Sequence, residues 1–81
     1  MPTDFTERGF RFFFFPSDGK EPAHVHVAYN GRGAKIWILP VALERNYGLR
    51  KHELHFSLRL ARKYEKKIKQ KWDEFFKDYK P

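Results

Sequence analysis

Hydrophobic and polar positions alternate strictly in two segments of the front half of the chain. Residues 24–29 read HVHVAY and residues 34–39 read AKIWIL, with an apolar side chain at every second position. This period is typical of strands with one buried face. A Phe-rich segment, residues 10–15, precedes them and ends at Pro16. The three segments together predict a three-stranded antiparallel meander.

The NGRG sequence between the second and third segments predicts a hairpin, because Asn and Gly adopt positive φ at low cost. If residues 30–33 form a four-residue loop, Val27 lies opposite Ile36 and Trp37 lies opposite His26. Side chains alternate between the two faces of a sheet. The valines and isoleucines would then form one face, and the two histidines of HVHV would lie on the other.

The back half shows a helical period. Apolar residues recur there at three- and four-residue steps or their sums, at Leu54, Leu58, Ala61, Ile68, Trp72, Phe75 and Tyr79. Neither Gly nor Pro occurs between Leu49 and Lys80, so the pattern predicts a helix over residues 50–79. Such a helix would be about 45 Å long, whereas a six-residue strand spans about 20 Å. We therefore expect it to overhang the sheet, to bend near residues 64–67, or to break into two.

These elements predict an α+β fold in a single domain over residues 1–81: a three-stranded antiparallel β-meander packed on a long C-terminal helix, or on a bent or broken helix pair. A chain of 81 residues buries a modest fraction of its surface, so its core must be aromatic-rich or completed by a partner. Aromatic residues make up 19% of the chain. The apolar overhang around Trp72 and Phe75 would need a cover, supplied by a homodimer through the helix or by a different protein.

The chain contains no cysteine, which excludes disulfides and thiolate metal sites and suggests a reducing, cytoplasmic environment. No apolar run approaches the roughly 20 residues of a membrane span. The first ten residues, MPTDFTERGF, do not resemble a signal peptide. We therefore expect no membrane partner.

The net charge of +7 is unevenly placed. Residues 1–40 carry five basic and four acidic side chains, a net of +1, and residues 41–81 carry twelve and six, a net of +6. Most of the excess lies in residues 59–71 and predicts an acidic partner, either nucleic acid or an acidic protein. Its candidate nucleic-acid contacts include Arg59, Lys63 and Lys66. The alternative is a helix face that is merely solvated.

His24 and His26 lie two residues apart, so on a strand they project from one face about 7 Å apart. Such a pair can act as base and acid, contact nucleic acid, or ligate a metal. The alternative is that both simply occupy the solvent side of a half-buried strand. A metal would need further ligands, for which Asp18 and Glu21, or His52 and His55, are the candidates. We expect no metal and no cofactor.

Three other residues are expected to share the histidine face: Arg11, Lys35 and Trp37. Arg11 would share it with Phe13 and Phe15. Cations beside a large aromatic ring are typical of RNA-binding surfaces, where Arg and Lys contact phosphates and the ring stacks on a base. The alternative is that Trp37 packs under a helix, with the cations around it.

The segments GFRFFFF, EPAHVHV and AKIWILPVALERNYGL, followed by a helix that carries Trp72, resemble a small bacterial family catalogued as domain of unknown function 4160. The resemblance covers nearly the whole chain and is most specific at Pro22 and the adjoining HVHV. The positions that match the family's motif are Arg11, His24, His26, Lys35 and Trp37. Two features depart from it: Ala23 stands where a second proline is common, and the helix is rich in lysine rather than glutamate.

The resemblance implies a toxin-like component of a bacterial toxin–antitoxin pair, with a cognate small antitoxin-like protein as its partner. If it acts on RNA as a ribonuclease, we expect His24 and His26 to serve as base and acid. Arg11 and Lys35 would stabilise charge on the phosphate, and Trp37 would stack or pack. The alternative is a non-catalytic module that binds its partner protein or nucleic acid through the sheet face and the basic helix.

Overall fold

The computed structural model describes residues 5–77, which fold as five strands followed by two helices. The elements are β1 Phe5–Glu7, β2 Phe10–Phe13, β3 His24–Tyr29, β4 Arg32–Trp37, β5 Ala42–Tyr47, α1 Lys51–Lys63 and α2 Glu65–Phe76. A short 3-10 helix, Pro16–Lys20, joins β2 to β3. The strands form one antiparallel sheet in chain order. The predicted α+β class is confirmed, whereas the predicted number of three strands is wrong.

The hairpin between β3 and β4 is tighter than predicted. Asn30 and Gly31 have φ values of 49° and 77° and form a two-residue turn of the type that Asn-Gly favours. The pairing is therefore shifted by two residues, and Val27 faces Ala34 instead of Ile36. The four-residue loop was the wrong expectation. Because side chains alternate with a period of two, this shift leaves the predicted assignment of residues to the two faces intact.

The two strands that the sequence did not predict lie at the edges of the sheet. β1 has three residues and joins β2 through a turn at Arg8 and Gly9, both with positive φ. All six residues of β5 are exposed, and its middle carries Glu44 and Arg45. No alternation of apolar and polar residues marks such a strand. It is recognisable only through its pairing with β4.

The core lies between the sheet and the helices. It contains the inner-face side chains of β2, β3 and β4 together with Leu49, Leu60, Ala61, Ile68 and Trp72. The valine–isoleucine face predicted from the alternation is thus the one that the helices cover. Ile36 at its centre has no exposed surface.

The C-terminal helix breaks into two at Tyr64. Of the three expected alternatives, the break is therefore the one that is found. Tyr64 has φ −106° and ψ 18°, and its hydroxyl donates a hydrogen bond to Glu7 of β1. The break lets α2 follow the sheet rather than overhang it. Trp72 is only 8% exposed and packs against Phe14, with the two ring centroids 5.4 Å apart. The expectation that Trp72 needs a cover from outside the chain is therefore wrong.

The buried stripe of α1 differs from the predicted one. Glu53 and Ser57 are buried, whereas Leu54 and Leu58 are half-buried. Glu53 is buried in an ion pair, in which it accepts two hydrogen bonds from Arg32 of β4, at 2.8 and 3.0 Å. This pair anchors the first turn of α1 to the sheet.

Several boundaries also differ. β2 ends at residue 13 and β4 covers 32–37, instead of ending at residue 15 and covering 34–39. Residue Tyr79 and the predicted helix end lie outside the described residues. Within residues 5–77, no helix has the length and apolarity needed to cross a membrane.

Candidate functional site

The face of the sheet opposite the helices carries most of the predicted site residues. This outer face is formed by Arg11, Phe13, His26, Ala28, Gly33, Lys35, Trp37, Arg45 and Tyr47. Each of them is exposed or half-buried. The prediction that Arg11, Phe13, His26, Lys35 and Trp37 share one face is confirmed. The shifted register places Trp37 opposite His24, and Lys35 opposite His26.

An open groove of about 440 Å³ runs across the outer face. Its floor includes Ala28 and Gly33, which are directly paired between β3 and β4. Phe15 and His26 line one side, and Tyr47 of β5 lines the other. The groove exists because the paired floor residues are small while their neighbours are aromatic.

The backbone of β3 leaves no room for a side chain at Gly33. A Cβ atom at this position would lie 2.6 Å from the carbonyl oxygen of Val27, closer than real Cβ contacts. The floor therefore cannot gain a side chain at residue 33 without moving β3.

The aromatic side of the groove is a packed cluster of rings. Phe13 is the cross-strand neighbour of His26, and their rings are 5.6 Å apart at 25°. Phe15 meets the His26 ring at 4.7 Å. Phe15 remains 49% exposed and Tyr47 55% exposed. Large ring surfaces are thus presented to solvent on both sides of the groove.

Cations lie beside these rings. The guanidinium carbon of Arg11 is 4.8 Å from the Phe13 ring centre, and that of Arg45 is 6.0 Å from the Tyr47 ring centre. Such contacts hold the cationic groups against the aromatic surface. Arg11 and Arg45 belong to β2 and β5, so positive charge flanks the groove on both sides.

Lys35 is engaged within the protein. Its Nζ donates a 2.5 Å hydrogen bond to Glu21 and lies 5.2 Å from the Trp37 ring centre. The hydrogen bond to Glu21 raises the pKa of Lys35 and lowers that of Glu21. Lys35 therefore stays charged, with its charge partly compensated.

His24 is enclosed at the end of the sheet. It has no exposed surface, with the Trp72 ring 5.1 Å away and the Trp37 ring 5.7 Å away. Its Nδ1 lies 2.9 Å from the carbonyl oxygen of Pro22. A carbonyl oxygen only accepts, so Nδ1 carries the proton and donates it.

Asp18 joins the two histidines. The 3-10 helix holds its carboxylate in place, because Asp18 Oδ2 accepts a 2.7 Å hydrogen bond from the backbone N–H of Phe15. Oδ2 also lies 3.0 Å from Nε2 of His26, and Oδ1 lies 3.2 Å from Nε2 of His24. Burial works to raise the pKa of Asp18, but the Phe15 N–H and His26 outweigh it and hold the pKa below its ordinary value.

The remaining predicted residues lie elsewhere. Arg59, Lys63 and Lys66 are exposed on the helices rather than on the outer face of the sheet. His52 and His55, weighed as additional metal ligands, are likewise exposed on α1. The structure thus separates the basic stripe from the histidine face.

Two side chains on the β5 side of the outer face were not singled out from the sequence, and of these Tyr47 lines the groove. Tyr47 and Arg45 lie on β5, which has no periodic signal. Phe15 was assigned to the histidine face, but its exposure beyond the end of β2 was not foreseen. The Asn-Gly turn was the available signal, since a two-residue hairpin places the Ala28–Gly33 pair next to it.

A family model matches most of the chain. No curated protein and no solved structure matches the chain. The model of the family described as Domain of unknown function (DUF4160) matches residues 9–73. That range covers most of the chain and includes β2 to β5, both histidines and the helices up to Trp72. The chain therefore belongs to this family of unknown function.

Proposed function

We propose that the protein binds single-stranded nucleic acid through the outer face of its sheet, with bases in the groove. The observation that carries this proposal is the groove itself, which is lined by the exposed rings of Phe15 and Tyr47 and has Ala28 and Gly33 in its floor. Bases stack on exposed aromatic rings with about 1–3 kcal/mol per base, whatever their identity.

The positions of two arginine side chains also favour single-stranded nucleic acid as the ligand. Arg11 on β2 and Arg45 on β5 are three strand spacings apart, about 14 Å. They can contact phosphates on either side of the groove while a base lies between them. Paired bases in a duplex are already stacked on each other, so their flat faces are inaccessible to these rings. We therefore expect a preference for single strands.

Fluorescence anisotropy with a fluorescein-labelled single-stranded RNA of mixed sequence tests the proposal. Wild type should bind, with an affinity that falls as salt rises. Replacing both groove rings, Phe15→Ala with Tyr47→Ala, should weaken binding by tenfold or more, since about 1–3 kcal/mol is lost per stack. The control is Phe75→Ala, which removes a 37% exposed ring from α2 and should leave binding unchanged. Equal affinity of wild type and the groove variant would contradict the proposal.

A second candidate function is RNA cleavage by a toxin-like protein. The observation that favours it is His26, which lines the groove and is hydrogen-bonded to Asp18. A histidine oriented by a carboxylate is suited to general acid–base chemistry. His24, the other member of the expected base–acid pair, lies buried behind it, and its catalytic role stays a prediction. The antitoxin-like partner, the homodimer and the cytoplasmic location also stay predictions.

Measurements of cell growth and of RNA integrity during expression test whether the protein cleaves RNA. Expression of wild type alone should arrest growth and degrade RNA, and His26→Gln should abolish both effects. The matched control is His55→Gln, which changes an exposed histidine on α1. Normal growth with intact RNA would reject cleavage, while binding by the groove would be unaffected.

A further inference from the structure

The feature that the proposed function leaves unexplained is the second ring nitrogen of His24. Nδ1 donates its proton to Pro22, so in the neutral ring Nε2 carries a lone pair. This Nε2 is buried and has no hydrogen-bond partner among the described residues. Instead it faces Asp18 Oδ1 at 3.2 Å. A buried polar atom without a partner costs about 1–3 kcal/mol, and two opposed lone pairs repel each other.

A cation between these atoms would remove the conflict. Nε2 of His24, Nε2 of His26 and the Asp18 carboxylate all point to one place, with one ligand atom from each residue within 4.8 Å of the others. The His-x-His spacing on β3 supplies the two nitrogens on one side of the strand. The 3-10 helix supplies the carboxylate.

We propose that Asp18, His24 and His26 bind a divalent transition-metal ion, with Zn²⁺ as the representative. Two imidazole nitrogens and one carboxylate are a donor set that such ions prefer, whereas Mg²⁺ and Ca²⁺ favour oxygen ligands alone. The proposal does not rest on nucleic-acid binding, since these three residues form the site with or without a strand in the groove.

The surroundings match those of metal ligands. The carbonyl oxygen of Pro22 accepts from Nδ1 of His24 and fixes the tautomer whose Nε2 can ligate, which is the usual outer-shell arrangement for a metal-bound histidine. The Phe15 N–H likewise orients Asp18. Access exists as well, because the side chains of His26 and Asp18 are 16% and 11% exposed.

The alternative cation is a proton, which would make His24 an imidazolium paired with Asp18. If a proton is the cation, the three residues need no metal ion and should show no affinity for one. Metal titration and the protonation state of the His24 ring distinguish a bound metal ion from a proton.

The experiment uses untagged protein stripped with a chelator and titrated with Co²⁺, followed by visible absorption, and with Zn²⁺, followed by calorimetry. We expect one ion per chain and d–d absorption bands. Asp18→Asn and His26→Gln each remove a ligand and should weaken binding by at least the roughly 10–100-fold that the loss of an outer-shell partner costs. The control His52→Ala with His55→Ala removes two exposed histidines from α1 and should leave binding unchanged.

Far-UV circular dichroism of each variant verifies the fold. His24→Gln serves as a further variant only if it passes this test, because His24 is fully buried. The proposal is overturned if Co²⁺ gives no d–d bands, or if Asp18→Asn and His26→Gln bind as wild type does. It is also overturned if ¹⁵N spectra show His24 protonated at both nitrogens and unchanged by Zn²⁺. Failure to bind RNA would leave all these outcomes intact.

Discussion

Ala28 and Gly33 face each other across β3 and β4 at the floor of the groove. Because both residues are small, they leave open the groove that the exposed rings of Phe15 and Tyr47 line. The pair follows from the two-residue turn at Asn30, because a longer loop would bring other residues into register. The turn and the groove are therefore linked.

Filling the groove should exclude one base from it without harming the fold. Ala28→Leu replaces a methyl group with an isobutyl group on the half-buried outer side of β3, so the core is untouched. We expect RNA affinity to fall by an amount equivalent to one lost stack, about 1–3 kcal/mol. Fluorescence anisotropy measures the affinity, and thermal unfolding verifies the fold.

The control for this variant is Gln70→Leu, which places the same side chain on the exposed surface of α2, away from the sheet. It should leave RNA affinity unchanged. If Ala28→Leu binds as tightly as wild type, bases do not enter the groove.

Charge-matched variants distinguish the sheet face from the helices. Arg11→Gln with Arg45→Gln removes two charges from the outer face, and Arg59→Gln with Lys63→Gln removes two from α1. If the phosphates lie on the sheet, only the first pair should lower the slope of log K against log salt, by about 1.4 for a single strand. Salt titrations of both variants measure this slope. A loss confined to the helix pair would mean that the basic stripe is the binding surface.

The ion pair between Arg32 and Glu53 should make stability depend on pH. The backbone N–H of Arg50 and the guanidinium of Arg32 hold the pKa of Glu53 below its ordinary value. An ionised Glu53 therefore contributes stability above the pKa of the unfolded chain, about 4.3, and this contribution is lost as pH falls through the folded pKa. At neutral pH, Glu53→Gln should lower the melting temperature by several degrees.

The difference between wild type and Glu53→Gln should shrink below a pH of about 4. Urea unfolding followed by circular dichroism at several pH values measures it. Glu74→Gln removes an exposed carboxylate from α2 and should have little effect at any pH. A difference that stays constant down to acidic pH would mean that the charge of Glu53 does not stabilise the fold.

The sequence predicted the elements whose side chains alternate between a buried and an exposed environment. β3 was predicted with its observed limits, residues 24–29, because valine and histidine alternate there. β5 was missed because all of its residues are exposed, so burial imposed no pattern. The stripe of α1 was misassigned because Glu53 is buried by its pairing with Arg32 rather than by hydrophobicity.

The candidate site was predictable only where its residues lie in alternating segments. The shared face of His26 and Lys35 followed from alternation and the hairpin register, whereas Arg11 lies in a segment that is apolar on both sides and its face was assigned without a periodic signal. The burial of His24 did not, since it depends on Trp72, which the break at Tyr64 brings onto the sheet. Asp18 was named as a nearby carboxylate, but its contact with both histidines required the fold of the 3-10 helix.

Chemical-shift mapping tests the nucleic-acid account most directly. A ¹H–¹⁵N correlation spectrum of the wild-type protein would be followed during titration with a short single-stranded RNA. We predict that the largest amide shifts occur around the groove, at Phe13, His26, Gly33 and Tyr47. Shifts confined to residues 51–76, or none at saturating RNA, would contradict the proposal that the outer face binds single-stranded nucleic acid.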